Sequence, residues 1–389
     1  MAKPKLQKTR MTKKLKILFF TPFASFSGSE MLLWYLLRNL DKTKYEIIVY
    51  SNYNGELLNM FPNHIRIERS RLNSSKVWHW ANKILMRFNL TSIEERQIMQ
   101  LHNKIQPDYW FVNTLLMSNV TDIAIKHNIK YTIYIHELLS LYAEVSKKNL
   151  QSMITNAAFS IGCSNGVSKN LKILGSHTTF TLNGCVDVNK IKLTNGELIK
   201  NKINVPLTSF VVLMSGQRTK RKGFDIFIDT ALRLKDKPYH FVWLGKSFET
   251  GYEYFLEQKI NIHQLTNLTL ATPSHADYYD YFNCADVCFL SSIEDPFPLV
   301  MIEAACLGKP ILAFKSGGSE EFLNENTGHI MSDFSENTID LALEQLYVKH
   351  KNNEWNIEKI KTNGQQYSIE NQSEKFDHQL TEIAQSLKL

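Results

Sequence analysis

The chain has 389 residues, of which 43% are hydrophobic and 21% are charged. Its length corresponds to two or three domains, and its composition is that of a globular protein, which excludes disorder throughout the chain. No apolar run reaches the roughly 18 residues that a membrane-spanning helix needs. Five cysteines without a C-x-x-C pair argue against a disulfide framework and against a structural zinc site.

The positive charge is concentrated at the N-terminus. The net charge is +7, and residues 1–16 contain seven lysines and arginines but no acid, so the rest of the chain carries 38 charges of each sign. A basic tail can contact anionic lipid or nucleic acid, and it can equally be a solubilising terminus. It is not a secretory signal, because no apolar core with a cleavage site follows it.

The first half of the chain alternates apolar, strand-like runs with segments of helical spacing. A loop containing Gly28 follows the first strand, which is typical of a βαβ unit and predicts a doubly wound parallel sheet. Strands are predicted over 16–21, 45–50, 108–112, 131–135, 158–163 and 178–182, and helices over 31–40 and 119–128.

The alternation restarts after a polar, lysine-rich stretch over 188–205. We therefore predict an N-terminal domain over 17–195 and a C-terminal domain over 196–365, with a ligand cleft between them. The apolar residues of 366–389 have helical spacing. In the second half, strands are predicted over 210–215, 239–244, 268–271, 287–290 and 310–314, and helices over 224–234 and 338–349.

The segment richest in candidate site residues is 291–310, in which two prolines bracket Phe297. A helix is predicted to begin at about Leu299, and its free backbone N–H groups and positive dipole end suit a phosphate. Asp295 lies in the loop and Glu303 on the helix, eight positions later. The spacing alone fits two acids at a ligand site, and it also fits a capping acid with a solvated helix acid.

The segment D-P-F-P-L-V-M-I-E over 295–303 resembles the E-x7-E motif of the retaining family 4 glycosyltransferases (glycosyl transferases group 1), in its D-P-F-P-L-V subgroup. Asp295 stands for the usual first Glu, and Glu320 stands for the usual Pro of G-G-x-P-E. Further similar motifs follow in the family's order: S-G-S-E (27–30), H-E (136–137), I-G-C-S-N (161–165), N-G-C-V-D (183–187), R-K-G-F-D (221–225), F-V-W-L-G (241–245), A-D-V (285–287) and G-G-S-E-E (317–321).

This resemblance implies the GT-B fold, in which two Rossmann-like α/β domains face each other across a cleft. The C-terminal domain would bind a nucleotide diphosphate sugar, such as a UDP- or GDP-sugar, and a glycan or lipid-linked acceptor would approach from the N-terminal domain. The helix over 366–389 would cross back to the N-terminal domain. The implied activity is metal-independent, cofactor-free sugar transfer with retention, in surface polysaccharide or glycolipid synthesis.

The resemblance also implies roles for individual residues. Glu303 would bind the donor ribose, Asp295 would lie near the transferred sugar, and Lys222 would neutralise the diphosphate. Arg221 and Arg218 compete for a second diphosphate contact, and we favour Arg221. Gly216, Phe297, Pro298 and Leu299 complete the expected donor site, and Gly28, Ser29, Asn113 and Glu137 the acceptor side.

His136 is expected to contact the transferred sugar, although a lone His after an apolar strand is often a structural hydrogen-bonding group. Cleavage of a sugar–phosphate bond develops negative charge on the diphosphate, which fixed cations and helix N–H groups stabilise. The departing phosphate can then accept the acceptor's proton on the same face of the sugar. Neither a divalent metal nor a dedicated general base is therefore expected.

Residues 76–90 predict an amphipathic helix with Lys76, Lys83 and Arg87 on its basic face. Such a helix either lies on an anionic membrane or packs its apolar face inward. The expected location is the cytoplasm or the inner face of a membrane. The alternatives are another GT-B enzyme, such as an epimerase or phosphorylase, and a non-catalytic relative that binds sugar nucleotide or acts as a scaffold. A dehydrogenase is disfavoured because G-x-G-x-x-G is absent, and no motif supports nucleic-acid binding.

Overall fold

The structure, a computed structural model, describes residues 13–23, 28–71, 76–87, 91–143, 145–274 and 276–389. Residues 1–12 of the basic tail, Ser27 of the S-G-S-E motif and residues 88–90 of the amphipathic segment lie outside this part of the chain. The described residues form two parallel sheets, one in each half of the chain, which confirms the predicted α/β class.

The first sheet has seven parallel strands in the order β3-β2-β1-β4-β5-β6-β7. Its central strands are buried on both faces, as expected for apolar runs in a doubly wound sheet. Its strands are β1 (Leu15–Thr21), β2 (Tyr45–Ser51), β3 (Arg66–Arg69), β4 (Tyr109–Asn113), β5 (Tyr131–Ile135), β6 (Phe159–Gly162) and β7 (Thr179–Thr181). Its helices are α1 (Gly28–Asn39), α2 (Lys76–Arg87), α3 (Ile93–Ile105), α4 (Ser118–Lys126), α5 (Leu139–Tyr142), α6 (Lys147–Thr155) and α7 (Asn165–Ile173).

The second sheet has six parallel strands in the order β10-β9-β8-β11-β12-β13. Its strands are β8 (Phe210–Ser215), β9 (Tyr239–Leu244), β10 (Leu268–Ala271), β11 (Val287–Leu290), β12 (Ile311–Phe314) and β13 (Gly328–Met331). The helices of the second half are α8 (Gly196–Lys202), α9 (Phe224–Arg233), α10 (Gly251–Ile262), α11 (Tyr278–Asn283), α12 (Leu299–Cys306), α13 (Ser319–Phe322), α14 (Glu336–Lys351), α15 (Ile357–Gln365) and α16 (Ile369–Leu387).

Both sheets reverse their strand order at one point, between β1 and β4 in the first and between β8 and β11 in the second. In open parallel sheets, ligands bind outside the carboxyl ends of the strands at such a reversal. The fold therefore provides two ligand-binding edges, one in each domain.

The predicted strands over 131–135, 210–215, 239–244, 268–271 and 287–290 are confirmed at both ends. No strand was predicted at β3 or β13, which are edge strands of four residues whose side chains are mostly exposed or half-buried. β1 begins at Leu15, inside the segment assigned to the basic tail. Lys16 is part of this strand, and its ammonium group contacts Glu46 and the carbonyl oxygen of Ile105.

The C-terminal helix α16 packs on the first domain, against α1. The ring of Phe376 lies edge-on to that of Phe111 in β4, with centroids 5.5 Å apart. The carboxylate of Asp377 accepts hydrogen bonds from Lys44 Nζ and the Tyr45 hydroxyl, both 2.8 Å long. The chain thus returns to the first domain after completing the second.

Helix α2 exposes much of its apolar face. Val77 is 72% exposed and Trp80 is 66% exposed, and Ile84 continues the same exposed face. Ala81 and Leu85 of the predicted apolar face are half-buried, so the helix packs one edge of that face inward and exposes the other. None of the helices in the described part of the chain is both long and apolar enough to cross a membrane.

Candidate functional site

A cleft of about 1340 Å³ lies between the two domains and receives side chains from both. It is lined by most of the predicted site residues: Gly28, Ser29, His136, Glu137, Gly216, Arg221, Lys222, Asp295, Phe297, Pro298, Leu299 and Glu303. Asn113 lies fully buried beneath His136, and Arg218 is outside the lining.

The second domain contributes an ion pair at the floor of the cleft. Lys222 Nζ donates to Asp295 Oδ2 at 2.5 Å, and both side chains are largely buried. Gly223 directly after the lysine has φ +69°, and a Cβ there would lie 1.9 Å from the Ser291 carbonyl oxygen. Only glycine allows the two loops to approach this closely. The backbone therefore fixes the lysine against the loop that carries Asp295.

The two candidate arginines have different surroundings. Arg221 lines the cleft, and its Nη1 donates to the Glu294 carbonyl oxygen at 3.2 Å. Arg218 is buried, with its guanidinium 6.0 Å from the Phe224 ring centroid and 3.8 Å from Glu257. The cleft thus has Arg221, rather than Arg218, within reach of a ligand.

The N-terminus of α12 opens toward the same cleft. Pro298 precedes the helix, no side chain caps it, and Pro298, Leu299 and Val300 all line the cleft. Its uncapped N–H groups are suited to an anionic group. Gly317 (φ +61°) lies against the loop that carries Asp295 and leads into this helix. A Cβ at Gly317 would be 2.5 Å from the Asp295 carbonyl oxygen.

Two tyrosines hold the carboxylate of Glu303. The Tyr278 hydroxyl donates to Oε2 at 3.1 Å, and the Tyr279 hydroxyl donates to Oε1 at 3.2 Å. Burial raises the pKa of Glu303 to about 7, although both hydrogen bonds oppose the rise. No sequence pattern indicated a site role for these tyrosines, because Y-Y-D-Y-F over 278–282 is typical of a helix that packs against the core.

On the first domain, His136 forms a 2.9 Å hydrogen bond between its Nε2 and Asn113 Oδ1. Burial lowers the pKa of His136 to about 3. The imidazole is therefore neutral near physiological pH and offers hydrogen bonds rather than positive charge.

Two buried acids of the first domain, Glu137 and Glu30, also line the cleft. Glu137 Oε2 accepts hydrogen bonds from the backbone N–H of His136 at 2.9 Å and of Leu115 at 3.4 Å. Burial raises the pKa of Glu137 to about 7, and the charge of Glu30 adds to the rise. Glu30 accepts a 2.8 Å hydrogen bond from the Ser29 hydroxyl, and burial raises its pKa as well. The sequence did not single out Glu30.

Thr114, directly after β4, has an uncommon backbone conformation with φ +69° and ψ 155°. Such a conformation in a β-branched residue costs about 1–3 kcal/mol and is found mostly at functional sites. Thr114 lines the cleft beside His136. Because φ cannot be read from a single sequence, this residue was not predicted.

The entrance of the cleft on the first domain is apolar. Phe23, Met60 and Leu116 line it, although each is more than two-fifths exposed. The Phe23 ring stacks on that of Tyr53, with centroids 5.1 Å apart. Within the described part of the chain, no cluster of three His, Cys, Asp or Glu side chains is arranged to hold a metal ion.

Residues 195–362, which include most of the second domain, match the family model described as glycosyl transferases group 1. The solved structure of HepE from Anabaena in complex with UDP is similar over 94% of this chain and 100% of that chain, with a TM-score of 0.78 and 17% identity. The HepE complex with UDP-glucose is similar over 94% and 99%, with a TM-score of 0.76 and 17% identity. These likenesses confirm the GT-B fold.

Two curated proteins are similar in sequence. The "Uncharacterized 41.2 kDa protein in cps region" of Klebsiella pneumoniae is 24% identical over 210 residues, 53% of this chain and 52% of that protein. The lipopolysaccharide core biosynthesis glycosyltransferase LpsE of Rhizobium meliloti (strain 1021) is 27% identical over 141 residues, 35% of this chain and 38% of that protein. The matches thus span about half of the first relative and less of the second.

Proposed function

We propose that the whole chain is a retaining glycosyltransferase of the group 1 family, which moves a sugar from a nucleotide diphosphate sugar to a glycan or lipid-linked acceptor. The observation that carries this proposal is the convergence of Lys222, Asp295 and Glu303 with His136 in one cleft between the domains. The family match of the second domain and the nucleotides in the HepE complexes support it.

The donor is proposed to lie along the second domain. Its diphosphate would contact Lys222, Arg221 and the N-terminus of α12, which together offer positive charge and N–H groups. Glu303 would accept hydrogen bonds from the ribose hydroxyls. Asp295 and His136 would contact the transferred sugar, with His136 acting as a neutral hydrogen-bonding group because of its low pKa.

The chemical step breaks the bond between the sugar C1 and the diphosphate oxygen, and its electron pair stays with the diphosphate. Lys222 and the α12 N–H groups stabilise that negative charge. The acceptor oxygen forms the new bond to C1 on the same face, and its proton passes to the leaving diphosphate. The anomeric configuration is retained, and the chain's cations supply the stabilisation that a divalent metal supplies in other transferases.

The acceptor would enter over the apolar entrance of the first domain, where Phe23, Met60 and Leu116 offer contact to an apolar face or chain. Because the relatives are tied by name to a cps region and to lipopolysaccharide core synthesis, we propose a role in surface polysaccharide or glycolipid synthesis. A cytoplasmic location, with α2 lying on an anionic membrane, fits such an acceptor. The exposed Val77 and Trp80 beside the exposed Lys83 and Arg87 support this arrangement.

A thermal-shift panel with UDP-, GDP-, ADP- and CMP-sugars, each with and without EDTA, tests the proposal. Binding to the folded state raises the melting temperature by mass action. We expect one nucleotide to raise it equally with and without EDTA, and the product of transfer to keep the anomeric configuration of the donor by NMR. Binding without transfer to any acceptor would favour the non-catalytic alternative, and a shift abolished by EDTA would contradict metal independence.

A further inference from the structure

We infer that Tyr278 and Tyr279 are positioning residues, which hold the Glu303 carboxylate in the orientation that accepts both ribose hydroxyls of a nucleotide. The inference rests on the proposed function, since it assumes that Glu303 meets a nucleotide. It assigns to two consecutive tyrosines a role in selecting ribonucleotides over deoxyribonucleotides.

Each of the two tyrosines binds a different oxygen of the Glu303 carboxylate. Tyr278 donates to Oε2 and Tyr279 donates to Oε1, at 3.1 Å and 3.2 Å. Each carboxylate oxygen can accept two hydrogen bonds, so each retains acceptor capacity for a ligand hydroxyl. A carboxylate held at both oxygens can therefore face a pair of neighbouring hydroxyls without rotating.

The tyrosines are themselves fixed. The Tyr278 hydroxyl is 2.9 Å from Ser215 Oγ at the carboxyl end of β8. The Tyr278 ring packs edge-on to that of Tyr279, at 5.2 Å between centroids, and to that of Phe282 at 5.1 Å. The hydroxyls are thus held by the sheet edge and by ring packing, so that the orientation of Glu303 is set before a ligand arrives.

All four polar groups reach the space in which a donor would lie. Ser215, Tyr278, Tyr279 and Glu303 line the cleft on the same side as Gly216 and Lys222. The titratable groups near Glu303 otherwise include Tyr35, Cys288 and Cys306, whose pKa values are raised by burial, so they are neutral. Among the residues that the structure describes, the donors of hydrogen bonds to the Glu303 carboxylate are the two tyrosine hydroxyls.

The test compares Tyr279→Phe and Tyr278→Phe with the wild type by calorimetric titration with UDP, GDP and ADP and with their 2′-deoxy counterparts. Phenylalanine keeps the ring packing and removes only the hydroxyl. Tyr254→Phe on the exposed face of α10 is the matched control. We expect the wild type to prefer the ribonucleotide, and Tyr279→Phe to lose about tenfold in ribonucleotide affinity but less in affinity for the 2′-deoxynucleotide, which keeps only the 3′-hydroxyl for Glu303.

The outcomes separate the inference from the proposed function. If no nucleotide binds the wild type, the proposed function fails. If a ribonucleotide binds but both tyrosine variants lose affinity for the two nucleotides equally, the tyrosines are merely structural and the inference is overturned. A wild type that does not distinguish the two nucleotides, or variants that keep the full preference, would also overturn it while leaving the proposed function in place.

Discussion

Glu321 of the second domain accepts a 2.9 Å hydrogen bond from the backbone N–H of Asn165, the first residue of α7 in the first domain. The other carboxylate oxygen accepts a 3.0 Å hydrogen bond from the side chain of Asn183. A negative charge is favourable at a helix N-terminus, so this contact joins the two domains across the cleft. Glu321 is half-buried, and this burial raises its pKa.

Replacing Glu321 with Ala is expected to open the cleft. Loss of a hydrogen bond to a charged group costs about 1.5–3 kcal/mol, which shifts an open–closed equilibrium roughly tenfold or more. Small-angle X-ray scattering should report a larger radius of gyration, and the donor KM should rise. The neighbouring Glu320→Ala is the control, because Glu320 pairs with Lys315 of its own domain. Equal radii for the two variants would contradict an interdomain role for Glu321.

Lys222→Ala is expected to lower the rate of sugar transfer by about 100-fold or more, because the lysine would stabilise charge that develops on the leaving diphosphate. Donor affinity should fall less than the single-turnover rate. Lys220→Ala, two residues earlier and exposed, is the control. A Lys222→Ala rate within about threefold of the wild type would exclude the lysine from this role.

The pH dependence of donor binding should report on Glu303. Its pKa of about 7 means that the ionised carboxylate, the better acceptor for two hydroxyls, is lost as the pH falls through this value. The affinity for the nucleotide diphosphate sugar that binds in the thermal-shift panel should therefore be high at about pH 8 and decline toward about pH 6. Such a donor suits this measurement because its diphosphate is a diester without a proton to gain in this range. Glu303→Gln should bind more weakly with a flatter profile, and an equally steep profile would assign the titration elsewhere.

Most of the architecture could be predicted because buried parallel strands are short apolar runs, as in F-V-V-L-M-S and Y-H-F-V-W-L. β3 was not predicted because its R-I-E-R sequence is that of an exposed edge strand and contains no apolar run. The site acids and Lys222 could be located by motif, since Asp295 and Glu303 lie in one continuous segment and Lys222 lies in another, R-K-G-F-D. Tyr278 and Tyr279 could not, because they are about 25 positions from Glu303 in the chain and contact it only in the folded protein.

Glu137→Gln is expected to stabilise the protein at high pH only. Burial raises the pKa of Glu137 from 4.5 to about 7, so its contribution to stability is fully present below about pH 4.5 and is lost as the pH rises through about 7. Glutamine has the same shape and does not titrate. The free energy of unfolding of the variant should match that of the wild type near about pH 4 and exceed it near about pH 8 by roughly 1–3 kcal/mol, as measured by chemical denaturation at the two pH values. A pH-independent difference would contradict the burial of an ionisable Glu137.

The exposed face of α2 should bind anionic vesicles. Val77 and Trp80 would enter the lipid interface, and Lys83 and Arg87 would contribute roughly 1 kcal/mol each near an anionic surface. Reversal of both charges to Glu should weaken vesicle binding at least tenfold, because it removes the attraction of roughly 1 kcal/mol that each positive charge supplies. Trp80→Ser should weaken binding without changing its salt dependence, because it removes apolar area and no charge. Phe255→Ser on α10, which removes an equally exposed aromatic ring from the other domain, is the control. If both α2 variants bind as the wild type and the Phe255→Ser control do, α2 is not the membrane contact.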